Sequence, residues 1–294
     1  MIPGSFEYHR PQSKAEAFSL LEKFGDEGRI LAGGHSLIPM MKLRMAVPEN
    51  IIDIQSLADL KGISISSNTI EIGALTTQYE IIHSKELEAV CPILKEAALL
   101  IADPQIRYCG TIGGNVANGD PGNDMPALMQ CLNAKYIMEN ASGEREVSAR
   151  EFYHAAYFTA LEEGEIVTKI SIPVPASSSG YAYEKMKRKV GDYATAASAV
   201  LLTLNGNECI SASIALTNVA DIPLFAEEAS SMLIGAPLGN RGANAEDVIN
   251  KAIESLEAIC EPASDARGSA EYRTKMAGQM TRQAINSALS RAQS

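Results

Sequence analysis

Two glycine pairs, each flanked by small hydrogen-bonding side chains, are the residues of this chain best equipped for chemistry. The first lies in Leu31-Ala32-Gly33-Gly34-His35-Ser36-Leu37 and the second in Gly110-Thr111-Ile112-Gly113-Gly114-Asn115. Glycine reaches backbone angles closed to other residues and lets a ligand come close to the main chain. Successive N–H groups in such a turn form a concave anion site. Ser36, Thr111 and Asn115 add side-chain hydrogen-bonding groups. Two such turns are expected to clamp one diphosphate from both sides. Singly, a Gly-Gly turn is ordinary loop geometry, so it is the pair that carries the reading. The chain contains neither Gly-x-Gly-x-x-Gly nor Gly-x-x-x-x-Gly-Lys-Ser/Thr, which leaves a Rossmann dinucleotide domain or a P-loop unsupported.

Other chemically suggestive residues have plainer explanations. His35, inside the first turn, is read as orienting a phosphate through its ring or backbone N–H rather than as a general base. Asp103, Asp120 and Asp124 match no calcium loop; Asp120 and Asp124 are read as turn or ribose-binding residues. Lys185-Met186-Lys187-Arg188-Lys189 is a basic run in an acidic chain. It is read as a solvated strand face, with an acidic partner or a cofactor phosphate as the alternative.

The elements that must hold these turns alternate. Ser13-Lys14-Ala15-Glu16 reads as a capping box, followed by Ala17, Leu20, Leu21 and Phe24 at helical spacing and a stop at Gly25. Arg29 to Ala32 is a short strand ending at the first glycine turn, and Ile51 to Ile54 is another, so a small βαβ-type unit is expected. Ile63-Ser64-Ile65 and Ile70-Glu71-Ile72 form a hairpin around Ser66-Ser67-Asn68. A helix is expected from Pro92 to Ile101, then the second turn, then a helix from Pro126 to Leu132. Strand pairs follow around Ser142-Gly143, and Ile166 to Ile172 alternates before Pro173. Ser177-Ser178-Ser179-Gly180 reads as a linker. Three strands come after it, Tyr181 to Lys187, Ala199 to Leu204 and Ile210 to Leu216, with Asn205-Gly206 as a turn. Helices capped by Asn244 and starting near Ser269 end the chain.

Composition narrows the classes. The 294 residues suffice for two or three domains. A formal net charge of −11 excludes the basic stripe of a nucleic-acid binder and disfavours an anionic membrane. No run of apolar residues is long enough to span a bilayer, and the first five residues lack the pattern of a signal peptide. The five cysteines, at 91, 109, 131, 209 and 260, form no Cys-x-x-Cys. They are read as free thiols in a reducing cytoplasm, with no metal or iron–sulfur site.

The flanks of both turns resemble the molybdenum hydroxylase flavoproteins, the group that includes the medium subunit of aerobic carbon monoxide dehydrogenase and the FAD domain of xanthine dehydrogenase. Ala32 to Arg44 is similar to the first FAD-binding segment of that family. Ala102 to Arg107, Gly110 to Asn115, Asp120-Pro121 and Asp124 are similar to the second. The likeness continues through Phe152, Thr159-Ala160-Leu161, Glu165-Ile166, Ile172-Pro173, Tyr183-Glu184-Lys185 and Ser269-Ala270-Glu271-Tyr272-Arg273. It implies an α+β fold with a two-lobed vanillyl-alcohol-oxidase (PCMH) type FAD-binding domain at 1–176, its lobes at 1–58 and 59–176. A smaller α+β C-terminal domain follows at 177–294, with a three-stranded antiparallel sheet and helices. It implies that Leu31 to Leu37 and Thr111 to Asn115 wrap the FAD diphosphate and that Ile101 lies near the flavin or adenine. Asp124 would accept from ribose hydroxyls, and Leu161 and Lys185 would border the isoalloxazine ring or adenine. Tyr108 and Tyr193 depart from the family pattern, and Tyr193 is read as a core residue rather than as a ring stacked on the flavin. The implied function is an FAD-carrying electron-transfer subunit, cytoplasmic and without membrane insertion. Its partners would be a molybdopterin-binding large subunit and a 2Fe–2S small subunit in a higher-order hetero-oligomer, with NAD, a quinone or oxygen as acceptor. A self-contained FAD oxidoreductase and a non-catalytic flavin-binding assembly protein are the alternatives.

Overall fold

The computed structural model describes residues 2–240 and 242–293. Its first strands, β1 (Glu7–His9), β2 (Gly28–Leu31) and β3 (Asn50–Asp53), form a parallel sheet in the order β1-β3-β2. Helix α1 (Lys14–Phe24) crosses from β1 to β2, and α2 (Leu37–Lys42) follows the first glycine turn. Ser13 caps α1 by accepting from Glu16 N, and Gly25 ends it at φ +49. The capping box is only half formed, because the Glu16 carboxylate accepts from Gln12 N instead of Ser13 N. Ala17, Phe18 and Leu21 from α1 meet Ile52, Ile54, Leu57 and Leu60 in a small core of their own.

The middle of the chain builds a five-stranded antiparallel sheet beside a helical layer. Strands β4 (Ile63–Ile65) and β5 (Thr69–Gly73) precede helices α3 (Gln78–His83), α4 (Lys85–Val90), α5 (Ile93–Leu100), α6 (Pro104–Cys109), α7 (Ile112–Ala117) and α8 (Asp124–Cys131). Strands β6 (Lys135–Asn140), β7 (Gly143–Ser148), the two-stranded pair β8 (Tyr153–Ala155) and β9 (Phe158–Thr159), and β10 (Ile166–Pro173) complete it; the sheet order is β4-β5-β10-β6-β7. Ile70, Ile72, Ile170 and Ile172 alternate inward onto α5 and α8, the period-two pattern of a half-covered strand.

Strands β11 (Ser179–Met186), β12 (Ala196–Asn205) and β13 (Glu208–Thr217) pair antiparallel as expected, with a two-residue turn at Gly206-Asn207. A fourth edge strand, β14 (Leu224–Phe225), adds to them; two residues carry no periodicity that a sequence reading can use. Helices α9 (Glu227–Leu233), α10 (Ala243–Ala258) and α11 (Ala270–Ala292) close the chain. Both faces of β12 are covered. Ala196, Val200 and Leu202 enter a core with α10 and α11, whereas Ala197 and Ala199 enter the core of the middle region. The C-terminal sheet is thus a shared wall.

Two local expectations give way. Ser179 and Gly180 are not linker but the start of β11. A Cβ on Gly180 would stand 1.8 Å from the Ala288 carbonyl oxygen, so only glycine lets α11 lie so close. Helix α10 begins one residue before Asn244, with extended Gly242 at its cap.

Candidate cofactor-binding site

A cleft of about 920 Å³ opens where the three parts of the chain meet. That is at the upper end of the roughly 300–1,000 Å³ of small-molecule sites and suits a dinucleotide-sized ligand. The turn after β2 contributes Ala32, Gly33, Gly34, His35, Ser36 and Leu37. The start of α7 contributes Thr111, Gly113, Gly114 and Asn115. Ile101 after α5, Asp124 at the head of α8, Leu161 after β9 and Lys185 on β11 also line it. Leu31 and Ile112 stand behind the wall. Leu31 packs beneath Gly34, and Ile112 is fully buried in the middle core.

The two turns touch each other. A Cβ on Gly33 would lie 2.3 Å from the Cys109 carbonyl oxygen and 2.9 Å from Gly110 Cα, and one on Gly114 would come within 3.8 Å of Ala32 Cβ. Their hydrogen-bonding state, however, is unequal. Among the described residues, no acceptor within the chain takes the backbone N–H of any residue from Gly33 to Leu37, and Gly34 sits at φ +74. In the second turn the N–H groups from Ile112 to Asn115 are already engaged, and Thr111 alone keeps an unpaired N–H among the described residues. Ile112 donates to Thr76 O (2.9 Å), Gly113 to Ala74 O (2.8 Å), Gly114 to Thr111 Oγ1 (3.0 Å) and Asn115 to Thr111 O (3.1 Å). The reason is that residues from Ile112 onward coil into a helical turn that docks on Ala74, where a Cβ on Gly113 would clash with the Ala74 backbone at 2.7 Å. The free backbone donors are therefore concentrated in the first turn, with the Thr111 N–H opposite them. The first turn offers backbone donors, and the second offers the Thr111 hydroxyl and the Asn115 amide, whose Oδ1 is buried without a partner.

Beside the turns lies a buried polar knot. Lys185 Nζ donates to Asp124 Oδ2 (2.8 Å) and to Leu100 O (3.2 Å), and Tyr183 OH donates to Asp124 Oδ1 (2.7 Å). Burial and the Asp124 charge push the Tyr183 phenol well above its ordinary value, so it stays a donor. The Lys185 side chain is 1% exposed, and the expectation that the run from Lys185 to Lys189 is a solvated face fails at its first member. The outward part of the run, Arg188 and Lys189, is exposed. Both Asp124 oxygens already have one donor each; further hydrogen bonds to a diol would use their remaining lone pairs.

The connection from β11 to β12 reaches across the mouth. Tyr193 is 45% exposed there and not a core residue; a Cβ on Gly122 would touch its ring at 2.8 Å, and Arg267 lies over the ring at 5.5 Å. Asp192 is clasped by Arg188 (3.0 Å) and Arg267 (3.4 Å), and Arg267 also pairs with Asp265 (3.0 Å). Burial alone would raise the Asp265 carboxyl, but hydrogen bonds from the Arg267 N–H, Arg273 and the Arg267 side chain outweigh it and hold the group down at about 2. A carboxyl depressed in the folded state adds stability above its unfolded value near 4, and that contribution disappears as pH falls towards 2. Asp265→Asn is therefore expected to melt below wild type at pH 7, with the two melting temperatures converging as pH drops from 4 to 2. A constant offset across that range contradicts the assignment.

Asp103 and Asp120 serve local turns: Asp103 Oδ1 caps α6 by accepting from Ile106 N, and Asp120 accepts from Gly122 N. Sequence reasoning missed Gln78, which lines the cleft from the first position of α3 and whose backbone N–H donates to Gly110 O at 2.9 Å. The available signal was Thr77-Gln78-Tyr79-Glu80, a capping box that forms in full and fixes where this helix begins. No cluster of metal-ligating side chains exists among the described residues, and no helix there is long and apolar enough to cross a membrane.

Residues 4–175 match the family model for the FAD-binding domain in molybdopterin dehydrogenase, and residues 181–288 match that for the CO dehydrogenase flavoprotein C-terminal domain. The chain is 58% identical over 292 residues to the carbon monoxide dehydrogenase medium chain of Afipia carboxidovorans, covering 99% of both chains. It is 47% identical to that of Hydrogenophaga pseudoflava, again covering 99% of each. Among solved structures, it superposes on a chain of quinoline 2-oxidoreductase from Pseudomonas putida with a TM-score of 0.92 at 32% identity, covering 100% of both. The unpaired N–H groups of Gly33 to Leu37 suit a diphosphate, and the buried, unpartnered Oδ1 of Asn115 suits a hydroxyl beside it. The residues present thus fit FAD, and the chain belongs to the FAD-binding family of molybdopterin dehydrogenases, as a medium-type flavoprotein subunit of an oxidoreductase.

Proposed function

We propose that this chain is the electron-transfer subunit of a molybdenum hydroxylase. It receives electrons from 2Fe–2S clusters on a small partner and passes them to NAD, a quinone or oxygen, while substrate is oxidised at a molybdopterin centre on a large partner. The observation that carries the reading is the cleft itself, in which unpaired backbone donors face a second turn across direct van der Waals contact. When bound there, FAD supplies both one- and two-electron chemistry. The chain's own part is to bind and orient. Gly33 to Leu37 hold the diphosphate, the Asp124–Lys185 pair fixes one wall, and Tyr193 narrows the mouth against water. The five free cysteines support a reducing, cytoplasmic setting.

Carbon monoxide is the substrate that similarity favours, since the relatives at 58% and 47% identity are carbon monoxide dehydrogenase chains and the glyceraldehyde dehydrogenase medium chain of Sulfolobus acidocaldarius is at 38%. The test is to isolate the chain with its native assembly and add carbon monoxide without an acceptor. Bleaching of the flavin absorption is expected, together with molybdenum and iron in the co-purifying chains. Flavin that the lone chain reduces as fast with a small substrate would favour a self-contained oxidoreductase instead.

A further inference from the structure

Gln78 carries a feature that packing does not explain. It is 2% exposed, yet neither its amide nitrogen nor its amide oxygen has a partner. Among the described residues it is the one buried amide side chain left open at both ends. Buried polar groups are nearly always satisfied, because an amide taken from water without a replacement is costly. Leucine or methionine would fill the same space without that cost. The residue is also held in place. The capping box of Thr77 and Glu80 fixes the start of α3, and the Gln78 N–H is tied to Gly110 O. Gln78 therefore lines the cleft immediately beside the junction where Gly33 meets the Cys109–Gly110 peptide.

We infer that Gln78 is a cofactor-binding residue that takes a hydroxyl of the polyol adjoining the FAD diphosphate. In FAD a hydroxylated chain lies on each side of the diphosphate, the ribityl on one and the ribose on the other. A hydroxyl donates one hydrogen bond and accepts others, which matches the two unmet needs of a carboxamide: Oε1 accepts from the O–H and Nε2 donates to a hydroxyl oxygen. The inference rests on the reading of the cleft as an FAD site and adds a residue to it.

The test compares wild type with Gln78→Met, which keeps the volume and removes both polar atoms, and with Gln78→Glu, which keeps the acceptor and loses the donor. Two quantities are measured on the full chain. One is the melting temperature without flavin. The other is the dissociation constant for FAD added back to the deflavinated native assembly. The expectation is that Gln78→Met melts no lower than wild type without flavin, while its dissociation constant rises about tenfold or more, the scale of one to two hydrogen bonds. Gln78→Glu should lie between the two. A dissociation constant within twofold of wild type overturns the inference, and so does a weakened affinity accompanied by a lower flavin-free melting temperature, which marks a structural role. If wild type itself takes up no FAD, the reading of the cleft falls and this inference with it. If wild type binds and Gln78→Met binds equally, only the assignment of Gln78 falls.

Discussion

Lys185→Met lowers the stability of the chain by about 3–5 kcal/mol, the usual cost of leaving one charge of a buried pair without its partner. The side chains of Lys185 and Asp124 are 1% and 6% exposed and 2.8 Å apart. With the ammonium gone, the buried Asp124 carboxylate keeps only the Tyr183 hydroxyl as a donor from this cluster. The loss is large against the roughly 5–15 kcal/mol that a domain has in total. The double variant Asp124→Asn/Lys185→Met should recover much of it, because the pair as a whole contributes little net once both desolvation costs are removed. Chemical denaturation of wild type, Lys185→Met, Asp124→Asn and the double variant measures this. A single variant as stable as wild type, or a double variant worse than the sum of the singles, contradicts the picture of a buried, mutually dependent pair. Both residues line the cleft, so FAD content should fall in the single variant as well.

Gly33→Ala weakens FAD binding by about ten- to a hundredfold. Its new methyl would stand 2.3 Å from the Cys109 carbonyl oxygen and 2.9 Å from Gly110 Cα, both backbone atoms that no rotamer change can move. Overpacking of this kind costs about 1–3 kcal/mol, and the simplest relief is for the two turns to part, which widens the diphosphate site. Each 1.4 kcal/mol is a factor of ten in affinity. Gly114→Ala is the internal comparison. Its nearest obstacle is the Thr111 hydroxyl at 2.8 Å, a side-chain atom that can rotate away, with Ala32 Cβ at 3.8 Å. Titration of FAD into the deflavinated assembly ranks the variants, and equal affinities for Gly33→Ala and wild type would show that contact between the turns does not shape the site.

The sequence made the long, periodic elements legible. The helix after Ser13, the strand ending at Pro173 and the helix starting at Ser269 stand where spacing and capping chemistry put them, and the turn expected at Asn205-Gly206 forms one residue later, at Gly206-Asn207. Between Gln78 and Ala117 only α5 was legible, because six-residue helices such as α3, α4, α6 and α7 show too few turns for periodicity, and only their caps, Thr77, Ser84, Asp103 and Thr111, betray them. The glycine pairs pointed to the cleft, but which N–H groups remain free depends on how residues 112–117 coil onto Ala74, a tertiary contact. The burial of Lys185 was not legible for a similar reason. Its neighbours in sequence are charged, whereas its partner, Asp124, arrives from a distant helix. Gln78 carries no motif of its own and becomes visible only when its amide is found buried and alone.

The central claim is that the backbone donors of Gly33 to Leu37, backed by the second turn, hold the diphosphate of FAD. A crystal structure of the native assembly with FAD tests it most directly. The expected result is diphosphate oxygens within hydrogen-bond distance of those N–H groups and of the Thr111 hydroxyl, in the cleft between the touching turns. Diphosphate density elsewhere on the chain, with the N–H groups from Gly33 to Leu37 turned to solvent, would contradict it.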